Sequence, residues 1–122
     1  MKLSQILTYH SILTRIIDEK LDVKPVTKFK LLGLLKSLEP AVSNFNIIRD
    51  EKIKQYGKED KETGAISISK EDTESIDNFN KDLNDLLNSE VDITISKIKV
   101  NDIFDSGIPA DYLVYLYDLI EE

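Results

Sequence analysis

Phe29, Leu32, Leu35, Leu38, Val42, Phe45, Ile48 and Tyr56 recur at three- and four-residue intervals, a helical spacing interrupted only by Lys52. The run from Thr27 to Gly57 is the longest periodic stretch in the chain. It predicts a helix of about 30 residues, roughly 45 Å long, against which the other elements can pack. Thr27 stands where an N-cap belongs, and Gly57 where a chain leaves a helix in the left-handed conformation. Pro40 complicates the middle, because an interior proline costs a straight helix about 3 kcal/mol. The apolar phase nevertheless continues from Leu38 to Val42 and Phe45. A kinked continuous helix and two helices meeting at Glu39–Pro40 both preserve that phase; the kink is favoured.

Ahead of this run, residues 3–20 read as a first helix. Its face comprises Leu3, Ile6, Leu7, His10, Leu13, Ile16 and Ile17, widened by Tyr9 and Ile12, a breadth that implies two packing neighbours. The break at 22–26, with Pro25 biasing Lys24 toward extended geometry, turns the second helix back antiparallel to the first. Beyond Gly57 comes a charged turn closed by Gly64, then the alternation of Ala65 to Ser69 that marks a half-buried strand. Asp72 or Thr73 caps a further helix, with Glu74 and Asp77 in its first turn and a buried face of Ile76, Phe79, Leu83, Leu86 and Leu87.

Val91, Ile93 and Ile95 alternate with Asp92, Thr94 and Ser96 in the clearest strand pattern of the chain, which Ile98 and Val100 extend after a slip at Lys97. Pairing of 65–69 with 91–96 is open between parallel and antiparallel. Asn101 to Asp105 reads as a helical turn broken at Ser106-Gly107, and Pro109 opens a last helix with Tyr112, Leu113, Leu116, Tyr117 and Ile120 on its face. The fold class expected is α+β in one domain, residues 1–122. It comprises an N-terminal helical hairpin with one long, Pro-kinked helix, a small two- or three-stranded sheet and two further helices.

Composition narrows the chemistry. The 122 residues are 41% hydrophobic and 32% charged, enough to fold and stay in solution. With no cysteine there are no disulfides, thiolate metal sites or cysteine nucleophiles. No signal peptide or membrane span is apparent, so a cytoplasmic location is expected. The net charge of -7 is unevenly spread: residues 1–58 carry 11 Lys/Arg against 6 Asp/Glu, residues 59–122 only 5 against 17. Such a dipolar chain either neutralises itself within the fold, associates head to tail, or offers its acidic half to a basic partner.

No catalytic constellation stands out. His10, the one histidine, lies on an apolar helix face and reads as a partly buried structural residue. The four glycines form neither a dinucleotide fingerprint nor a phosphate loop. Asp77 to Asp82 lacks the central glycine and closing glutamate of a calcium loop. We therefore expect no enzyme, no cofactor and no metal. Lys20, Lys24, Lys28, Lys30 and Lys36 would be the nucleic-acid patch, but a solvated helix face explains them better, and nucleic acid is not expected as a partner. Candidate partner-binding residues are Tyr112 and Tyr115, which share a face of the last helix, and the acids Glu74, Asp77, Asp82 and Asp85.

The order of motifs adds a resemblance. A charged helix ends in Ile53-Lys54-Gln55-Tyr56-Gly57, and a polar turn ends in Gly64. Phe79-Asn80-Lys81-Asp82-Leu83-Asn84-Asp85-Leu86-Leu87-Asn88 and Glu90-Val91-Asp92-Ile93-Thr94-Ile95 follow, then Lys97-Ile98-Lys99-Val100 and Pro109-Ala110-Asp111-Tyr112-Leu113, ending in Ile120-Glu121-Glu122. Over residues 28–122 this resembles a family of small proteins of unknown function encoded by tailed phages and prophages. The resemblance carries no assigned site residues. It implies a viral protein acting in the host cytoplasm or the virion. The leading expectation is a non-catalytic protein-protein interaction protein in assembly or as a minor virion component, with a phage or host protein, or a second copy, as partner. The alternatives are an acidic inhibitor occupying a host nucleic-acid-binding surface and a small nucleic-acid-binding regulator.

Overall fold

Leu3, Ile6, Tyr9, Leu13 and Ile16 recur on one side of a 3.6-residue helix, and their burial fixes the first element, α1 (Leu3–Asp18). The computed structural model describes residues 1–19, 22–103 and 107–121. Lys20 of the lysine cluster, the last two residues of the expected 101–105 turn, Ser106 and Glu122 lie outside the described residues.

The long helix, α2 (Pro25–Tyr56), begins three residues earlier than a cap at Thr27 would allow, with Lys24 in the N-cap position. Pro25 occupies its first turn, where the absent N–H removes nothing that the helix would have used. Thr27 is therefore not the cap. It lies inside the first turn with 1% of its surface exposed, and its hydroxyl donates to the backbone carbonyl of Asp102. The helix runs unbroken through Pro40, so the two-helix alternative is excluded.

Ile16 and Ile17 meet Lys28 and Leu31 beside the turn, so α1 and α2 form the expected antiparallel hairpin. At 1.5 Å per residue α2 is about twice the length of α1, and its second half overhangs its partner. Helix α3 (Thr73–Leu87) and the hairpin of β1 (Lys58–Glu59) with β2 (Ile66–Ser67) pack on that overhang. Helix α3 touches both α2 and α1 but buries no residue fully. Its N-cap is Asp72, which accepts from the Ser75 N–H at 3.1 Å and the Ser75 hydroxyl at 2.7 Å.

Gly57 corrects a second expectation. Its backbone is extended (φ -94, ψ 172), not left-handed. Glycine is needed there for close approach: a β-carbon would stand 2.5 Å from the Ile53 carbonyl oxygen and 2.9 Å from that of Ser67.

The sheet also differs from expectation. Residues 66–67 pair antiparallel with 58–59, around a turn in which Gly64 takes φ 73 and the Asp60 N–H reaches the Ala65 carbonyl at 2.8 Å. Residues 91–96 pair with neither in either sense. Closing the short loop between 59 and 66 costs less entropy than bridging the whole of α3, so the local partner wins. The alternation in 91–96 is real, since Val91, Ile93 and Ile95 pack on the core while Asp92, Thr94 and Ser96 are exposed. It describes an extended segment without a ladder, held at its start by the Val91 N–H on the Met1 carbonyl at 2.9 Å.

The second ladder lies further on, where β3 (Ile98–Lys99) pairs parallel with β4 (Ile120–Glu121) in the register Ile98–Ile120 and Lys99–Glu121. The single turn α4 (Val100–Ile103) follows β3. Helix α5 (Ala110–Tyr115) is shorter than expected, with Pro109 in the N-cap position. The chain then tightens into a 3-10 turn (Tyr117–Leu119), which brings Leu116 and Leu119 into the core together. That turn rotates Tyr117 out of the buried face assigned to it, leaving 77% of it exposed.

The buried side of α2 is the remaining correction. From Leu38 onward the expected stripe holds in part, with Val42, Phe45, Lys52 and Tyr56 half-buried and Ile48 exposed. Ahead of Leu38 the buried residues are Thr27, Leu31 and Leu34, while Phe29 is 78% exposed and Leu32 sits at the surface. Leucines at 31, 32, 34 and 35 surround most of the helix, so two stripes fit the sequence. The one chosen faces α1 together with Ile98, Ile103 and Ile108, and it leaves Phe29 and Leu32 outside.

Candidate functional site

Phe29, Leu32, Gly33 and Lys36 lie at i, i+3, i+4 and i+7, so the helix stacks them on one outward face of α2. Opposite them runs the extended segment 94–99, and between the two is a groove of about 560 Å³. Buried Leu34 and Ile98 form its floor, and the exposed ring of Phe29 forms one lip. Gly33 opens directly onto this space: a β-carbon there would meet no atom within 4 Å. Its missing side chain is thus not demanded by packing within the chain, although glycine weakens a helix interior by about 1 kcal/mol relative to alanine.

The rim of the groove is basic. Lys30 and Lys36 rise from α2, and Lys97 and Lys99 from the facing segment, against one carboxylate among the described residues, Glu121. Lys30 is paired with Asp102. Lys36, Lys97 and Lys99 form no ion pair among the described residues. A contiguous exposed apolar surface edged by one sign of charge suits an occupant that is apolar in the middle and anionic at its edges.

The residues expected to bind a partner are dispersed. Glu74, Asp77 and Asp85 are exposed on the outward side of α3, with Lys81 among them and no large apolar side chain. Asp82 is committed internally, accepting the Tyr56 hydroxyl at 2.8 Å with the Lys52 ammonium 3.5 Å away. The Tyr56 bond is the main reason that its carboxyl sits below the ordinary range, and the same bond raises the Tyr56 phenol. Tyr112 is half-buried and donates to Glu19, which raises its phenol as well. Tyr115 is 58% exposed, and Val114 beside it is 74% exposed. His10 is half-buried on α1.

The other shifted groups also belong to joints in the framework. Tyr9 is raised chiefly by burial and then by donating to Asp118 at 3.2 Å; Asp72 is lowered chiefly by the Ser75 hydroxyl in its cap. Perturbed groups that converge in a cleft would point to acid–base chemistry. These are spread over four separate joints. Among the described residues no group of three or more His, Asp or Glu could hold a metal ion.

Sequence reasoning missed Phe29 and Leu32 as surface residues, and Lys97 and Lys99 as members of the basic cluster. The signal for the lysines was present, because Lys-Ile-Lys in extended backbone puts both ammonium groups on the side opposite Ile98.

Among the described residues no helix is long and apolar enough to cross a membrane. Compared with known proteins, the chain matches no family model, no curated protein and no solved structure.

Proposed function

We propose that this chain is a non-catalytic protein-interaction protein, and that its partner docks in the lysine-rimmed groove between α2 and residues 94–99. The observation that carries the proposal is the outward stack of Phe29, Leu32 and Gly33 on α2: two apolar side chains left in water beside an unfilled space. Lys36, Lys97 and Lys99 would select an acidic partner and orient it, while the apolar strip supplies most of the affinity. The resemblance of the motif order in 28–122 to small phage-encoded proteins supports, as part of this proposal, a role in virion assembly or as a minor virion component.

The test is co-purification from producing cells with three proteins compared: wild type, Phe29→Ser/Leu32→Ser, and Glu74→Lys/Asp77→Lys/Asp85→Lys. Docking in the groove predicts that the partner is lost with the first variant and kept with the second. Loss with the acidic-face variant alone would move the interface to α3 and favour an acidic inhibitor instead.

A further inference from the structure

The groove calls for an occupant carrying exposed apolar side chains flanked by carboxylates, and the chain's own surface holds such a ridge on α5. Ile47, Asp50 and Glu51 on α2 are spaced in the same way, but Lys54 shares their face and Arg49 pairs with Asp50, so that surface is mixed in sign. Asp111, Val114 and Tyr115 lie at i, i+3 and i+4 on α5, and all three are exposed. Asp118, also exposed, follows in the 3-10 turn. The outward face of α3 has the carboxylates without the apolar side chains, so it meets half the requirement.

This ridge cannot fill its own groove. Helix α5 packs against α1, held there by Tyr112 on Glu19, by Tyr9 on Asp118 and by buried Leu116, and neither it nor its ridge lines the groove. Two like surfaces do not suit each other either: groove against groove sets lysine against lysine, and ridge against ridge sets carboxylate against carboxylate. Groove against ridge satisfies both, and such a contact between unlike surfaces leaves a free groove at one end and a free ridge at the other.

We propose that copies of this chain associate head to tail, the Asp111/Val114/Tyr115 ridge of one copy seating in the Lys36/Lys97/Lys99-rimmed groove of the next. The proposal rests on the groove being the docking site and names its occupant. Gly33 gains a purpose from it, since a helix edge without a β-carbon lets the Tyr115 ring of the next copy lie close to the backbone.

Two variants at exposed positions of the full chain test it, Leu32→Glu in the groove and Val114→Ser/Tyr115→Ser on the ridge, with circular dichroism to verify that both remain folded. Sedimentation equilibrium should show wild type growing beyond the monomer mass with concentration. Association should weaken about tenfold or more between low and high salt, since partly exposed charges are screened. Each variant alone should stay monomeric. An equimolar mixture should yield dimers and nothing larger, because only one intact groove and one intact ridge remain to meet. A wild type that stays monomeric at low salt, or variants that fail to complement, would overturn the head-to-tail arrangement. If the groove variant of such a monomer still loses a different protein partner, groove docking stands and only the occupant is wrong. Binding of a DNA duplex at low salt that Leu32→Glu abolishes would overturn both.

Discussion

Tyr56 donates its phenolic hydrogen to Oδ2 of Asp82 at 2.8 Å, tying the end of α2 to the middle of α3. Lys52 completes the joint, 3.5 Å from the same carboxylate and 6.0 Å from the Tyr56 ring centroid. Because α3 touches its neighbours with half-buried side chains only, this joint bears on whether α3 stays docked. Tyr56→Phe should leave the α1–α2 core intact and speed amide exchange selectively in α3 and the β1–β2 hairpin. Uniformly faster exchange across α1 as well would show that the joint supports the whole molecule.

The same bonds set the pH dependence of stability. Asp72 and Asp82 titrate lower in the native chain than unfolded, so their contribution is present above the ordinary carboxylate value and lost as pH falls through the native one. Tyr9, Tyr56 and Tyr112 titrate higher in the native chain, so theirs is present below about pH 10 and lost as pH rises beyond it. The urea midpoint should therefore fall on both sides of a neutral plateau. Tyr56→Phe should shrink the loss at both ends, since it removes one raised phenol and the main cause of the Asp82 shift. An unchanged profile would separate the Tyr56–Asp82 bond from stability.

Adjacent leucines decide the phase of α2. Leu31 is fully buried, and Leu31→Ala should cost about 3 kcal/mol in chemical denaturation. Leu32→Ala, one residue on, should cost less than about 1 kcal/mol. The reverse order would mean that the stripe running through Phe29, Leu32 and Leu35 is the one that packs.

Two glycines should respond in opposite directions. Gly107 holds φ 92, and a β-carbon there would stand 2.2 Å from the Asp22 carbonyl oxygen, so Gly107→Ala should destabilise by about 2 kcal/mol. Gly33 faces open space within a helix, so Gly33→Ala should stabilise the isolated protein by about 0.5–1 kcal/mol. If a partner approaches that edge, the same substitution should weaken docking. A stabilised variant with undiminished association would show that the partner does not come close to Gly33.

Local signals in the sequence located the helices well. The Asp72 cap, the amphipathic face of α1 and the long run through Pro40 each depend on interactions within a few residues. What misled was non-local. Val91 to Ser96 has strand periodicity because a core lies on one side of it, yet strand pairing needs a second segment, and Ile66–Ser67 had already found a nearer one. The phase of α2 depended on which elements would arrive at either side of a helix that is leucine-rich nearly all round. The groove was hidden for the same reason. Lys97 and Lys99 belong to the half of the chain that is acidic in total, and they join Lys30 and Lys36 only when residues 94–99 come to rest beside α2.

Docking at the groove is tested most directly by a photoreactive amino acid in place of Leu32, with one at Asn78 on the outward side of α3 for comparison. Irradiation in producing cells should give a discrete protein adduct from position 32 and none from position 78, and with head-to-tail association the adduct should map to α5 of a second copy. No protein adduct from position 32, or equal adducts from both positions, would contradict the groove as the surface through which this chain acts.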